Sequence, residues 1–367
     1  MAAAHLDVDL TPRSPNARLC ANDGGIYEFW LSARSKMLKE ARVGASRFSL
    51  NPRGLLMPKY SDSNQIFYVL EGNGKVGLTF AESPGECVKL VKKGDAIAVP
   101  HGTVNWWFNS GTSKFSVLCL GDTSKSLKAG EFTDFFLVGP GSAGLLKGFT
   151  PDFIAQAWDV PEETVNTLLH SQKEERIVLL KEGISMPETT DLSNSPYGEF
   201  AYNCEEAKLD VDIKNGGRVS VVSSDSLPIF KHVGLGADLV KLDPHAMCSP
   251  GFSSDSAYQV TYIVRGSGRV QVVNQNGERV IDHILEPGCL FIVPRFHVVS
   301  KRAGENGMEW FSIITTEKPV FSHLAGRTGV IKSLSPKTIC AAFNVEDGVE
   351  KELRSRRTND AIFFPPK

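Results

Sequence analysis

The sequence predicts a mostly β protein built from two β-barrels, each with an appended short helical segment. The first observation is an internal repeat, in which a glycine-bounded run of β-forming residues returns in the second half of the chain. The second is that short apolar segments alternate with turn residues at close intervals, which is typical of an antiparallel sandwich or barrel. The landmarks of the repeat, each displaced by 194 positions, are Gly72 and Gly266, Gly94 and Gly288, and Pro100 and Pro294.

The bulk composition is that of an ordinary globular protein. With 367 residues the chain is long enough for two domains, each with its own hydrophobic core. Apolar residues make up 41% and charged residues 22% of the chain, which is not a disordered composition. The net charge of −2 gives no electrostatic basis for binding nucleic acid or an anionic membrane surface. No apolar run is long enough for a transmembrane helix, so we expect no nucleic acid and no membrane as partners.

The first half is predicted to consist of short strands separated by Gly, Pro, Asn and Ser. An early strand is expected within 24–30. Gly94-Asp95 and Pro100-His-Gly102 are predicted turns at the two ends of one later strand. The other predicted strands include residues 47–50, 54–57, 65–71, 87–91 and 96–99.

The pattern changes to helical spacing after residue 150. Thr150 followed by Pro151 predicts a helix start, and 159–163 predicts a second one. The same helix-start signal recurs at Ser335-Pro336, after the second group of predicted strands. The apolar residues expected to form the buried stripes of the first two helices are Phe153, Ile154, Ala157, Trp158, Val165, Leu168 and Leu169.

These patterns divide the chain into two units and a connection. We predict an N-terminal barrel with helices at 1–182, a connecting segment at 183–217 and a C-terminal barrel with helices at 218–367. The N-terminus lacks the basic and apolar regions of a secretory signal peptide, so a cytoplasmic location is expected. The seven cysteines form no Cys-x-x-Cys pair, which agrees with a reducing compartment.

A series of stretches, taken together and in order, carries a family resemblance. They are MPKY at 57–60, YVLEGNG at 68–74, GFTPDFIAQAW at 148–158, VPEETV at 160–165, LPIF at 227–230, VPRFHVVSKRA at 293–303 and LAGRTG at 324–329. They resemble the cupin superfamily, and in particular the legumin-type (11S) seed storage globulins of plants, from about residue 17 to about residue 351. The resemblance implies a bicupin of two jelly rolls. Its helices are expected to contact a neighbouring copy in a homotrimer or a hexamer. It also implies a nutrient-reservoir role.

The sequence departs from the family's pattern in ways that imply an unprocessed intracellular relative. Storage globulins are cut at an Asn-Gly ahead of the second half, but 196–204 contains none and Asn215-Gly216 lies further along. Cys87 and Cys204 match the family's disulfide between the halves. Two free thiols are the alternative, which a cytosolic location favours.

The family's metal positions carry no usual ligand here. Metal-binding cupins hold an ion with histidines and a carboxylate, so we expect no metal and no other cofactor. His245 with Cys248 would be an unconventional copper or zinc site only if a second pair joined them. The residues at the ligand positions are Pro58, Tyr60, Gln65 and Asn105 in the first half and Phe252, Ser254, Gln259 and Val299 in the second.

A metal-free pocket for a small-molecule ligand is predicted inside the first barrel. A lysine and a tyrosine beside an amide would suit a polar aromatic or carboxylate ligand. The alternative is a closed barrel that these side chains simply fill. We predict no catalytic residue. The candidate lining residues are Lys59, Tyr60, Gln65, Phe67, Asn105 and Trp107.

Three roles remain open on the sequence alone. The first is a non-enzymatic storage or ligand-sequestering protein. The second is a metal-independent isomerase or lyase that uses the first-barrel pocket, and the third is an oligomeric interaction scaffold. A pocket open around Lys59, Tyr60 and Asn105 would favour the enzyme. A barrel filled by Phe67, Val69 and Trp107 would favour the other two roles.

Overall fold

The computed structural model describes residues 9–81, 83, 85–192, 195–358 and 362–366. It is mostly β, as the sequence predicts, with two barrels that each carry short helices. Within the described residues, no helix is long and apolar enough to cross a membrane.

The N-terminal barrel consists of two antiparallel sheets. Its strands are β1 Ala17–Asn22, β2 Gly25–Phe29, β3 Val43–Leu50, β4 Gly54–Ser61, β5 Asn64–Glu71, β6 Asn73–Thr79, β7 Cys87–Lys92, β8 Asp95–Val99, β9 Val104–Phe108, β10 Phe115–Asp122, β11 Asp134–Phe136, β12 Ile177–Leu179 and β13 Ala201–Asn203. One sheet has the order β1-β2-β3-β10-β5-β8-β13, and the other has the order β11-β4-β9-β6-β7 with β12 beside β4. Strand β13 therefore ties the chain that leads to the second half onto the edge of the first barrel.

The C-terminal barrel is one continuous sheet because two of its strands are long. Its strands are β14 Val211–Ile213, β15 Gly217–Val222, β16 Gly236–Leu242, β17 Met247–Cys248, β18 Gly251–Ser253, β19 Gln259–Val273, β20 Arg279–Leu285, β21 Leu290–Val293, β22 Val298–Ile314, β23 Phe321–His323 and β24 Phe363–Phe364. Strands β19 and β22 pair along most of their length, with irregularities that let them bend around the barrel.

The backbone conformation explains why glycine recurs at one landmark of the repeat. Gly72 and Gly266 have φ values of +78° and +69°, in the left-handed region that favours glycine. A Cβ at these positions would lie 2.3 Å from the carbonyl oxygen of Lys114 and 2.2 Å from that of Gly307, respectively. Both the conformation and the space therefore exclude a side chain at this turn in each barrel.

The helices in the described residues are α1 Lys36–Ala41, α2 Pro151–Trp158, α3 Glu162–Ser171, α4 Phe230–Val233, α5 Val330–Ser333, α6 Pro336–Phe343 and α7 Asp347–Ser355, with 3-10 turns at Gly141–Ala143 and Leu145–Gly148. Helices α2, α3 and α6 begin where the sequence predicts. Helix α6 is capped by Ser335, whose hydroxyl oxygen accepts a hydrogen bond from the Thr338 N–H at 3.1 Å.

The predicted buried stripe of α2 and α3 is only partly correct. Ile154, Val165 and Leu169 form a small core of their own, as expected. The prediction was wrong for the other four residues, because two short helices bury only the faces that meet each other. Those four are exposed in the single chain: Phe153 (65%), Trp158 (45%), Leu168 (52%) and Ala157.

One hydrophobic cluster extends across both barrels, and the C-terminal barrel has a second cluster of its own. The rings of Tyr68 and Phe311, one from each half, stack with centroids 4.1 Å apart and are fully buried. Trp30 meets the edge of Tyr262 at 6.2 Å, and Arg47 donates a hydrogen bond to the Tyr262 hydroxyl at 3.2 Å. We therefore expect the halves to unfold together.

Replacing Phe311 with alanine tests this shared core. The loss of a fully buried ring is expected to lower the free energy of unfolding by about 3–5 kcal/mol, in a single transition monitored by fluorescence during chemical denaturation. Leu127→Ala is the control, because Leu127 is 78% exposed and its truncation should change the stability by less than about 0.5 kcal/mol. Two separate transitions, with only one shifted, would contradict a shared core.

Candidate functional site

Five of the six predicted pocket residues meet inside the N-terminal barrel. Lys59, Gln65, Phe67, Asn105 and Trp107 come from strands β4, β5 and β9 and all have no exposed surface.

The sixth predicted residue, Tyr60, lies elsewhere. It is half-buried, and its ring stacks on that of Phe135 with centroids 4.9 Å apart and planes 10° apart. Neighbouring side chains of a strand point to opposite faces, so Tyr60 leaves the interior that Lys59 enters.

Aromatic rings fill much of this interior. The centroids of Phe67 and Trp107 lie 4.7 Å apart, and that of Phe48 lies 5.5 Å from Trp107 and 6.4 Å from Phe67. Phe115 adds a fourth ring at 6.4 Å from Trp107. All four residues are at most 1% exposed, so together they form a packed aromatic core inside the first barrel.

Lys59 is paired within the protein. Its Nζ lies 2.7 Å from Asp134 Oδ1, in a geometry that gives an ion pair rather than a well-aligned hydrogen bond. The Tyr27 hydroxyl donates a hydrogen bond to Asp134 Oδ2 at 2.6 Å. The same hydroxyl oxygen lies 3.4 Å from Lys59 Nζ. Burial raises the pKa of Tyr27 well above its ordinary value, and the Asp134 charge adds to this effect, so the phenol keeps its proton.

Neighbouring groups occupy both the donor and the acceptor of the Asn105 amide, but only the donor of Gln65, whose buried Oε1 has no hydrogen-bond partner among the described residues. Asn105 donates to the carbonyl oxygens of Lys59 and Thr103 at 3.3 and 3.2 Å, and its Oδ1 accepts from Trp107 Nε1 at 3.1 Å. Gln65 donates to the Ser61 hydroxyl at 3.3 Å. These contacts agree with the alternative of a filled barrel, and the ligand pocket stays a prediction.

The structure also shows where the cysteines and the candidate metal-binding residues lie. All seven cysteines are free thiols in the structure, which agrees with the alternative of two free thiols at Cys87 and Cys204 rather than a disulfide between them. Both are buried, and burial raises the pKa of the Cys204 thiol. His245 is an exposed turn residue, whereas Cys248 lies in strand β17. Within the described ranges, no three His, Cys, Asp or Glu side chains are arranged to hold a metal ion.

The C-terminal barrel contains a cavity that the sequence reasoning missed. Its volume is about 150 Å³, and most of its wall is apolar, including Val240, Trp310 and Phe363. Its polar lining residues are Asp238, Cys248, Ser253, Gln259, Lys301 and His323.

The repeat itself indicates why the second barrel has this space. With the displacement of 194 residues, Phe67 corresponds to Thr261 and Trp107 corresponds to Lys301. A threonine in place of a phenyl ring, and an unbranched chain in place of an indole, remove two of the rings that fill the first barrel. Applying the repeat to the predicted pocket residues would have placed Lys301 at the position of Trp107 from the sequence alone, but not the cavity beside it.

Comparisons with known proteins agree with this duplicated fold. The family model described as Cupin matches the chain twice, at residues 12–166 and 202–351. The 11S globulin seed storage protein 2 of Sesamum indicum is 26% identical over 96% of this chain and 90% of its own length. The crystal structure of the coconut allergen cocosin has a TM-score of 0.91 at 25% identity and covers 97% of this chain and 98% of its own. An 11S globulin structure from Wrightia tinctoria, described as revealing an auxin binding site, has a TM-score of 0.90 at 26% identity, over 99% and 97% of the two chains.

Lys59→Met tests the internal ion pair of the first barrel. Removing the cation leaves Asp134 buried with its charge uncompensated, which is expected to cost about 3–5 kcal/mol of stability. The matched double variant Lys59→Met with Asp134→Leu removes both charges and should recover most of this loss. Urea unfolding measures both. A single variant as stable as the original protein would show that the pair is not needed.

Proposed function

The chain belongs to the cupin family, with the domain present twice, and we propose that it is a legumin-like nutrient-reservoir protein without enzymatic activity. The observation that carries the proposal is the extent of the likeness: it spans 96% of this chain and 90% of the sesame 11S seed storage globulin. The filled interior of the first barrel supports it, because Lys59 and Asn105, two of the polar groups expected to bind a ligand there, are already paired with Asp134 and with Trp107.

Ligand sequestration is the second candidate role. It is favoured by the cavity of about 150 Å³ in the C-terminal barrel. A related 11S globulin structure, from Wrightia tinctoria, is described as revealing an auxin binding site. A metal-independent enzyme and an interaction scaffold stay predictions that no specific contact favours.

Self-association is proposed to use two exposed apolar surfaces on the helices. The N-terminal helical patch is Phe149, Phe153, Trp158 and Leu168, and the C-terminal helical patch is Leu334, Phe343, Val349 and Leu353. Each of these side chains is 40–65% exposed in the single chain. Apolar surfaces of this kind mark protein contacts, and contact between the N-terminal patch of one copy and the C-terminal patch of the next closes a ring. We propose a homotrimer, with a hexamer of two such rings as the larger assembly.

A cytoplasmic location completes the proposal. All seven cysteines carry free thiols, and Cys87, Cys119 and Cys204 among them are buried. This state suits a reducing compartment.

The reservoir role is tested by protein abundance in the source tissue. Quantitative mass spectrometry should find the chain among the most abundant proteins after reserves are laid down, and depleted once they are mobilised. Fractionation against cytosolic and vacuolar markers tests the location in the same samples. A constant trace level through both stages would contradict a reservoir.

The proposed ring makes a specific prediction for two variants, Phe153→Asp and Phe343→Asp. Each breaks one patch in every copy, so each alone should be monomeric by native mass spectrometry. When mixed, the intact C-terminal patch of one should bind the intact N-terminal patch of the other and give heterodimers that do not extend.

Leu127→Asp is the matched control, because Leu127 is exposed outside both patches, and it should assemble as the unmodified protein does. Homodimers of either variant alone would instead show that like patches pair, which rules out the proposed ring.

A further inference from the structure

Lys301 is a buried cation without an anionic partner in contact. It is only 5% exposed, and none of the described residues forms an ion pair or a hydrogen bond with its ammonium group. The contacts that stabilise it are with rings: Nζ lies 4.5 Å from the centroid of Trp310 and 5.8 Å from that of Phe291. A buried ammonium with three unused N–H donors is costly unless something accepts them.

Two further polar atoms of the cavity have no hydrogen-bond partner among the described residues. They are Asp238 Oδ1 and His323 Nδ1, and both atoms are inaccessible to solvent. Buried polar atoms are rarely left unsatisfied in folded proteins. Because these two atoms have no accessible surface, Lys301 is the group with which a polar occupant of the cavity would pair.

The size and the walls of the cavity limit what that occupant is. A volume of about 150 Å³ is roughly that of an apolar cavity known to hold benzene. Val320, which is 57% exposed, is one of the lining residues, so the cavity reaches the surface there. The apolar side chains that line the cavity include Val240 and Phe363.

We propose that the C-terminal barrel binds a small monocarboxylate with an apolar body of about benzene size. The carboxylate accepts charge-assisted hydrogen bonds from Lys301, while the body packs against Trp310 and the apolar wall. This inference names a site and a ligand class for the ligand-sequestering role, and it does not depend on the reservoir role.

The charge of Asp238 makes this binding depend on pH. Burial raises the pKa of Asp238 to about 6, against the opposing effects of Lys301 and a hydrogen bond from Ser312. An ionised Asp238 repels an incoming carboxylate, whereas its protonated form leaves the site with the net positive charge of Lys301 and donates a hydrogen bond. Binding is therefore coupled to proton uptake and strengthens as the pH falls through about 6.

Burial lowers the pKa of Lys301, against the opposing effects of Cys248 and Asp238. His323 and Cys248 keep their charge state across this range. Burial lowers the pKa of His323 to about 4, with Lys301 acting in the same direction, so this imidazole is neutral above pH 5. Burial raises the pKa of Cys248 to about 11, so its thiol keeps its proton. The lining residues from β15, Val219 and Val221, and from β24, Phe363, are apolar.

Titration calorimetry of the intact protein with benzoate tests the proposal, with benzamide as the uncharged analogue of the same shape. Benzoate should bind and benzamide should bind much more weakly. Lys301→Met should weaken benzoate binding roughly thirtyfold or more, which is the usual effect of removing one partner of a buried charged contact. Lys318→Met is the matched control in the same half, because Lys318 is exposed and paired with Asp225, and it should not change the affinity.

Asp238→Asn tests the coupling without touching the cation. A carboxyl group with a pKa of about 6 is protonated in roughly one molecule in ten at pH 7. The apparent affinity of the unmodified protein is reduced by that fraction. The variant should therefore bind benzoate about tenfold more tightly at pH 7 and lose most of its pH dependence. Thermal unfolding checks that each variant is folded.

Several outcomes would overturn the proposal. They are no benzoate binding by the unmodified protein, equal binding of benzoate and benzamide, or unchanged binding in folded Lys301→Met. If Lys301→Met does not fold, a failure of Asp238→Asn to tighten binding overturns it instead. None of these results would affect the reservoir role, which the abundance measurement tests separately.

Discussion

The limited volume inside each barrel is the constraint on which the rest of this structure depends. Alternate side chains of every strand must share that interior. Their sizes therefore decide whether the barrel is fully packed or keeps an internal cavity. In the first barrel, Phe48, Phe67, Trp107 and Phe115 occupy the space. In the second barrel, Lys301 stands where Trp107 stands in the first, and a cavity of about 150 Å³ remains.

The same low-polarity interior governs the two buried lysines in opposite ways. Lys59 is stabilised by an ion pair with Asp134, 2.7 Å away, and by the ring of Tyr27 at 5.6 Å. Lys301 has rings beside it but no carboxylate in contact. Removing one partner of a buried ion pair leaves the other charge uncompensated, so Lys59 and Asp134 depend on each other, whereas Lys301 has no such partner among the described residues.

Apolar side chains are exposed on the surface because the helices that carry them are short. Helices α2 and α3 bury three side chains against each other, Ile154, Val165 and Leu169, and this leaves the rings of Phe153 and Trp158 in solvent. The second half repeats the arrangement, with Ile339 buried and Phe343 exposed on α6. A reservoir assembled from such copies would bury the apolar surface that a single chain cannot cover.

The sequence by itself determined the features that depend on local backbone chemistry. The duplication was readable because Gly72 and Gly266 occupy a conformation open to few other residues, and the helix starts were readable because Thr150-Pro151 and Ser335-Pro336 are local signals. Only the tertiary structure decided that Lys59 meets Asp134 and that Lys301 meets a cavity. These partners are far apart in the chain, and a local pattern carries no information about which distant side chains a closed barrel brings together.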